Sequence, residues 1–170
     1  SSLTKANGDS YLIYPSHLKY EQSRKMPYLA LIDQLNRFIR QPNSLLIISG
    51  YSFNDQHLND TIISALKANP NSMAIALLFD TMTYEKGGEI VERYPEAIKT
   101  AKRNNLALWA YDEAIIGTAR GKWKIPVNIE DEENLAECYD KKDQQLKLGD
   151  FSKLGDFLQA LIGYNQTKLD

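Results

Sequence analysis

The strongest constraint on this chain lies in three short apolar runs, Leu45–Ile48, Met73–Phe79 and Leu106–Ala110, separated by stretches with helical spacing. A continuous apolar run without polar alternation suits a strand covered on both faces, as in a parallel sheet. Between the first two runs, Leu58, Ile62 and Leu66 recur at every fourth position. Asn54 and Asp55 are N-cap candidates ahead of them, and Pro70 stands beyond their end near Ala68. Between the second and third runs, Pro95 opens a helix that carries Ala97, Ile98 and Ala101 and closes at Asn104-Asn105. Strand, helix, strand, helix, strand at this spacing predicts right-handed βαβ units. The expected class is α/β, a parallel sheet with helices on both faces.

The flanks are less regular. Residues 1–10 are polar and expected to fray; Tyr11–Tyr14 is a short β-prone run closed by Pro15, and Ser16–Lys25 is polar. Pro27 falls at the first turn of a predicted helix. Tyr28, Leu31, Ile32, Leu35, Phe38 and Ile39 form its apolar stripe, and Pro42 ends it. After the third run, Ala114–Gly117 and Trp123–Val127 flank Ala119–Lys122, a hairpin or small extended excursion. Glu130–Glu133 reads as a solvated acidic loop. Leu154, Phe157, Leu158, Leu161 and Ile162 predict a carboxy-terminal helix with Gly163 as its stop, and 165–170 as a polar tail.

Composition narrows the function classes. The 170 residues suit one domain or a large piece of one. A net charge of −2, with basic clusters as short as Lys99–Arg103 and Arg120–Lys124, predicts no nucleic-acid surface. Cys138 is the single cysteine, so neither an internal disulfide nor a cysteine-based zinc site is expected. Two histidines without His-x-x-x-His spacing predict no metal site. No secretory signal stands at the start and the apolar runs are too short to span a bilayer, so a cytoplasmic location is expected, away from membranes. Ser1-Ser2, with no Met before it, reads as a cut rather than a natural start.

The segment that points to chemistry is SLLIISGYSFNDQHLN, Ser44–Asn59. It combines a buried strand, a glycine at that strand's carboxyl end, a short polar loop and a capped helix. Ligands of open α/β sheets bind outside the carboxyl ends of the strands. Gly50 removes a side chain where a ligand approaches the backbone. The helix start near Asp55 offers free N–H groups and a positive dipole end suited to a phosphate, and Ser52 adds a hydroxyl. The same residues also read as a simple turn and a simple cap.

The stretch IYPSHLKYEQSRKMPYLALIDQLNRFI, followed by LLIISGYSFNDQHLND, resembles the second half of the bacterial sirtuin-like domains found in NAD-depleting anti-phage defence proteins. DEAIIGTARGKW and LKLGDFSKLGDFL also resemble that group. The likeness runs from about Ile13 to Ile162, and the Gly-Tyr-Ser-Phe block with Asp55, His57 and Asn59 is its most specific part. It implies an incomplete Rossmann-like fold over 11–164 that binds NAD, in a family that cleaves the nicotinamide–ribose bond by hydrolysis or coupled to deacylation. The family's first glycine-rich loop, its catalytic Asn or Asp and its catalytic His-Gly pair all lie ahead of the region matched. This chain has no His-Gly dipeptide and no Gly-Ala-Gly loop, so no catalytic residue is assigned and the chain is expected to be inactive alone. Gly50, Tyr51 and Ser52 stand where classical sirtuins place Gly-Thr-Ser, with Tyr51 replacing the Thr. Classical deacetylases carry a four-cysteine zinc module before this strand. Tyr11–Ser44 has no cysteine, which implies the zinc-free branch.

The resemblance implies Gly50, Tyr51, Ser52, Phe53, Asp55 and His57 as cofactor-binding residues. Asp80, at the end of the second run, joins them as a candidate for the adenosine ribose, with a turn or cap as its other reading. His57 reads either as facing the nucleotide or loop, or as a polar helix residue. His17, Lys19, Tyr20, Ser23 and Arg24 read as a solvated loop or as the nicotinamide side of a site. Gly87-Gly88 reads as a flexible loop over the adenine, and Trp109 and Tyr111 as core and rim. Two functions follow as expectations: part of an NAD hydrolase, or a non-catalytic nucleotide-sensing or assembly module. The expected partners are NAD or a related nucleotide, further copies of the chain, or a defence protein.

Overall fold

The computed structural model describes residues 17–102, 104–124 and 138–167. Expectations for Tyr11–Tyr14, Glu130–Glu133, residues 1–10 and the end of the polar tail lie outside these. The chain divides into two compact units, Ser1–Leu35 and Asn36–Asp170. Helix α1, His17–Ile39, crosses the boundary between them and carries Pro27 inside it. The expected start at Pro27 is therefore corrected: no breaker separates His17 from Met26, and Glu, Gln, Arg, Lys and Met are good helix formers. Pro27 removes one backbone donor without ending the helix. Ile39 alone of its predicted stripe is buried, while Tyr28, Leu31 and Phe38 are exposed.

In the second unit, β1 (Leu45–Ser49), β2 (Met73–Leu77) and β5 (Leu106–Trp109) are neighbouring parallel strands, in the order β1-β2-β5. Helix α2 (Gln56–Ala68) joins β1 to β2, and α3 (Pro95–Ala101) lies between β2 and β5. Because chain order equals spatial order, right-handed crossovers put α2 and α3 on one face. On the other face, Ile75, Leu77 and Trp109 pack with Cys138, Leu146 and Leu148 and with Leu154 and Phe157 of α4 (Phe151–Thr167). Helices thus lie on both faces, but the expectation that Leu45–Ile48 is covered on both is corrected: β1 is the edge strand and leaves Leu45 51% and Ile47 54% exposed.

The predicted excursion is an antiparallel hairpin, β6 (Glu113–Ile116) and β7 (Ala119–Lys122), that extends the sheet beyond β5. A short pair, β8 (Tyr139–Asp140) and β9 (Gln145–Leu146), forms a two-stranded sheet of its own. Two expectations are corrected. Gly87-Gly88 is the tight turn of an antiparallel hairpin, β3 (Thr83–Lys86) and β4 (Glu89–Glu92), with φ of 62° and 85° that only a glycine adopts freely. Gly163 does not stop α4, which continues to Thr167; glycine weakens a helix interior without forbidding it.

Arg120 clamps the two hairpins together. Its guanidinium reaches Glu92 of β4 at 2.5 Å and Glu113 of β6 at 2.6 Å. Hydrogen bonding to Arg120 holds the Glu113 carboxyl below its ordinary value, against the opposing effect of burial. A carboxylate depressed in the folded state adds stability above its unfolded pKa, about 4.3, and loses it as pH falls through the lower folded value. Glu113→Gln is expected to lower the melting temperature at neutral pH and to converge with the parent in acid. A constant difference from about pH 7 to about pH 3 would contradict this linkage.

Candidate functional site

β1 and β2 are in register from Leu45 with Met73 to Ser49 with Leu77, so Gly50 and Leu78 leave the sheet side by side at its carboxyl edge. The loop Gly50–Asp55 begins in the left-handed region, with φ 71° at Gly50, and a side chain there would meet nothing within 4 Å. Phe53 repeats that conformation at φ 59° with its ring in the core, 1% exposed. A residue with a Cβ holds such a φ only when its surroundings impose it.

Those surroundings are specific. Asn59, on the buried face of α2 and 3% exposed, donates from Nδ2 to the Phe53 carbonyl at 2.8 Å. The Tyr51 hydroxyl stands 2.8 Å from Asn59 Oδ1 and 3.0 Å from the Asp55 carbonyl, and the Tyr51 and Phe53 rings lie 4.7 Å apart. Asp55, not Asn54, is the N-cap, accepting the Leu58 N–H at 3.1 Å. Ser52, Asn54 and His57 are exposed.

The structure sorts the predicted residues. Gly50 and Ser52 sit where a ligand could approach. Phe53 offers backbone only, and the Tyr51 hydroxyl is turned to its own loop. Asp55 caps its helix, and its carboxylate offsets the positive end of α2.

Asp80 stands at the carboxyl end of β2 with φ 73°. Its carboxylate accepts the Thr81 N–H at 2.7 Å and pairs with Arg93 at 3.2 Å. Arg93 also donates to the Thr81 carbonyl and lies over the Tyr84 ring. A ribose hydroxyl at Asp80 would share the carboxylate with Arg93. Beside it, Phe79 is 60% exposed, its ring edge-on to the largely buried Tyr111, while Tyr94 donates its hydroxyl to the Phe79 carbonyl. Burial raises both phenols above their ordinary value, so they remain protonated donors at neutral pH.

Sequence reasoning did not find Arg93 or Gly149. Gly149 lies so close to the backbone of Leu78 that a Cβ would stand 1.9 Å from its carbonyl oxygen. Asn59 stood in the sequence only as part of the block that carries the resemblance, with no role of its own. The nicotinamide-side candidates His17, Lys19, Tyr20, Ser23 and Arg24 fall in α1, in the first unit. A shallow cleft of about 370 Å³ lies at the opposite, amino ends of β2 and β5, lined by Pro70, Ser72, Met73 and Asn105 among others. Two of its polar side chains are engaged within the protein, Asn105 with the Pro70 carbonyl and Ser72 with that of Asn69.

Among the described residues, no group of His, Cys, Asp and Glu is placed to hold a metal ion, and no helix is long and apolar enough to cross a membrane. Compared with known proteins, the chain matches no family model and no curated sequence.

Proposed function

We propose that this chain is the NAD-binding, carboxy-terminal part of a sirtuin-like NAD-consuming enzyme of the bacterial cytoplasm. Its parent protein cleaves the nicotinamide–ribose bond, by hydrolysis in anti-phage defence. The observation that carries the reading is the loop Gly50–Asp55: an open glycine and the exposed Ser52 at the carboxyl end of a parallel strand, leading into a capped helix. Asp80 and Phe79 share that edge of the sheet through β2, which adds a second set of contacts for a dinucleotide.

The chain supplies one wall of such a site. Gly50 lets the ligand approach the backbone, and Ser52 offers a neutral hydrogen-bonding group. The acid–base and water-positioning groups belong to the segment that the resemblance places ahead of this region. Titration calorimetry with NAD, beside an assay for released nicotinamide, tests the reading. The protein containing this chain is expected to bind NAD, and the 170 residues alone to release no nicotinamide. Release by this chain, lost on His57→Ala, would place the chemistry here. A parent protein that does not bind NAD would overturn the assignment.

A second reading, a nucleotide-sensing or assembly module without turnover, draws on the pairing of Asp80 with Arg93, which leaves that carboxylate engaged. A Gly-Ala-Gly loop and a His-Gly pair in the upstream sequence of the parent gene would decide for the enzyme.

A further inference from the structure

We infer that Tyr51 and Asn59 are positioning residues for the ligand loop, a strut that holds Gly50–Asp55 in its binding conformation and turns Ser52 outward; this rests on the NAD reading above. The loop contains two left-handed residues, Gly50 and Phe53, and only the first adopts that conformation freely. Phe53 is held there from both sides. Its ring is packed in the core against Tyr51, and its carbonyl accepts the Asn59 amide. Asn59 is a polar side chain on the buried face of α2, where an apolar residue would continue the stripe of Ile62, Ala65 and Leu66. A buried carboxamide must be satisfied, and here both ends are: Nδ2 by Phe53 and Oδ1 by the Tyr51 hydroxyl. The Tyr51 hydroxyl lies 3.0 Å from the carbonyl of the cap residue Asp55 as well, so its single proton is shared between the two oxygens. One network therefore ties the start of the loop, its strained middle, its end and the first turns of α2. With Tyr51 and Phe53 directed inward, Ser52 between them and Asn54 after them are exposed. Both are neutral, and the Asp55 carboxylate stands behind them at the helix start. That combination fits ribose hydroxyls.

A double-mutant cycle on the protein containing this chain, with ADP-ribose as the titrant, tests the strut. Ser52→Ala and Tyr51→Phe are each expected to weaken binding about fivefold, the loss of one hydrogen bond. If Tyr51 acts by orienting Ser52, the double variant binds about as weakly as either single one, rather than about twenty-five-fold more weakly than the parent. Tyr51→Phe keeps the ring and should fold. Asn59→Asp, which cannot donate to the Phe53 carbonyl, should reproduce the same coupling. Multiplicative losses, or parental affinity in Tyr51→Phe, would overturn the inference. Amide hydrogen exchange across Gly50–Asn54 in the free protein separates the strut from the ligand: the strut predicts faster exchange in Tyr51→Phe. Loosening of the loop in a protein that binds no ADP-ribose would leave the strut standing and overturn its assignment to NAD binding; unchanged exchange would overturn the strut itself.

Discussion

Gly149→Ala is expected to destabilise the fold by about 3 kcal/mol or more, a drop of about 6–12 °C in melting temperature for a chain of this size. The added Cβ would lie 1.9 Å from the Leu78 carbonyl oxygen, 2.3 Å from its carbon and 2.8 Å from the Phe79 nitrogen. All three are backbone atoms at the end of β2, where the Leu78 N–H is already bonded to the Trp109 carbonyl at 2.8 Å. Yielding on that side breaks the sheet. Yielding on the other displaces Asp150, whose carboxylate accepts the Ser152 N–H at the start of α4. Gly155, within α4, is the control: its Cβ would meet open space, so Gly155→Ala should stabilise by about 0.5–1 kcal/mol. Thermal unfolding of the two variants beside the parent decides; coincident curves for Gly149→Ala and the parent would refute the steric argument.

Gly50→Val should weaken NAD binding at least tenfold, while Gly87→Val leaves it unchanged. The two positions are matched in what they cost the fold. Both have positive φ, 71° and 62°, and neither Cβ would touch anything within 4 Å. Each valine therefore carries a similar backbone strain, about 1–2 kcal/mol, with no steric clash in the free protein. The difference lies in position. Gly50 stands at the carboxyl edge beside the end of β2, where the proposed NAD site would bring the dinucleotide close; Gly87 is the tip of the β3–β4 hairpin. Calorimetry on both variants, after matching their unfolding midpoints, isolates the ligand term. Equal affinity at the two positions would reduce Gly50 to a turn residue and remove Ser52 from the site.

Leu106–Ala110 was legible because a covered parallel strand leaves no polar face, and it ends within one residue of the observed strand. Leu45–Ile48 was placed equally well, but β1 is an edge strand with Leu45 and Ile47 half exposed, so its apolar run did not mark burial. Met73–Phe79 was read two residues too long, since apolar composition does not register that Leu78 and Phe79 turn out of the ladder. Asp55 and Pro95 marked their helix starts by local chemistry. The β3–β4 hairpin escaped because Tyr84-Glu85-Lys86 and Glu89-Ile90 are exposed on both faces and show no alternation; only the Gly-Gly pair betrays it. At the candidate site, the positions of Gly50 and Ser52 could be anticipated from the chain alone. The inward turn of Tyr51 and Phe53 could not, because it depends on Asn59 reaching back across six residues of chain to a carbonyl. Arg93 is likewise set on Asp80 by the hairpin between them, a contact that no local pattern encodes.

The clamp at Arg120 behaves differently toward acid and alkali. Both carboxylates it grips raise the guanidinium further above a value already beyond any physiological pH. The cation therefore never releases its partners by losing a proton. Glu113, held below its ordinary value by the guanidinium, lets go by gaining one. The grip of Arg120 on Glu113 works as a one-way latch, shut at neutral and alkaline pH and opened from the acid side alone.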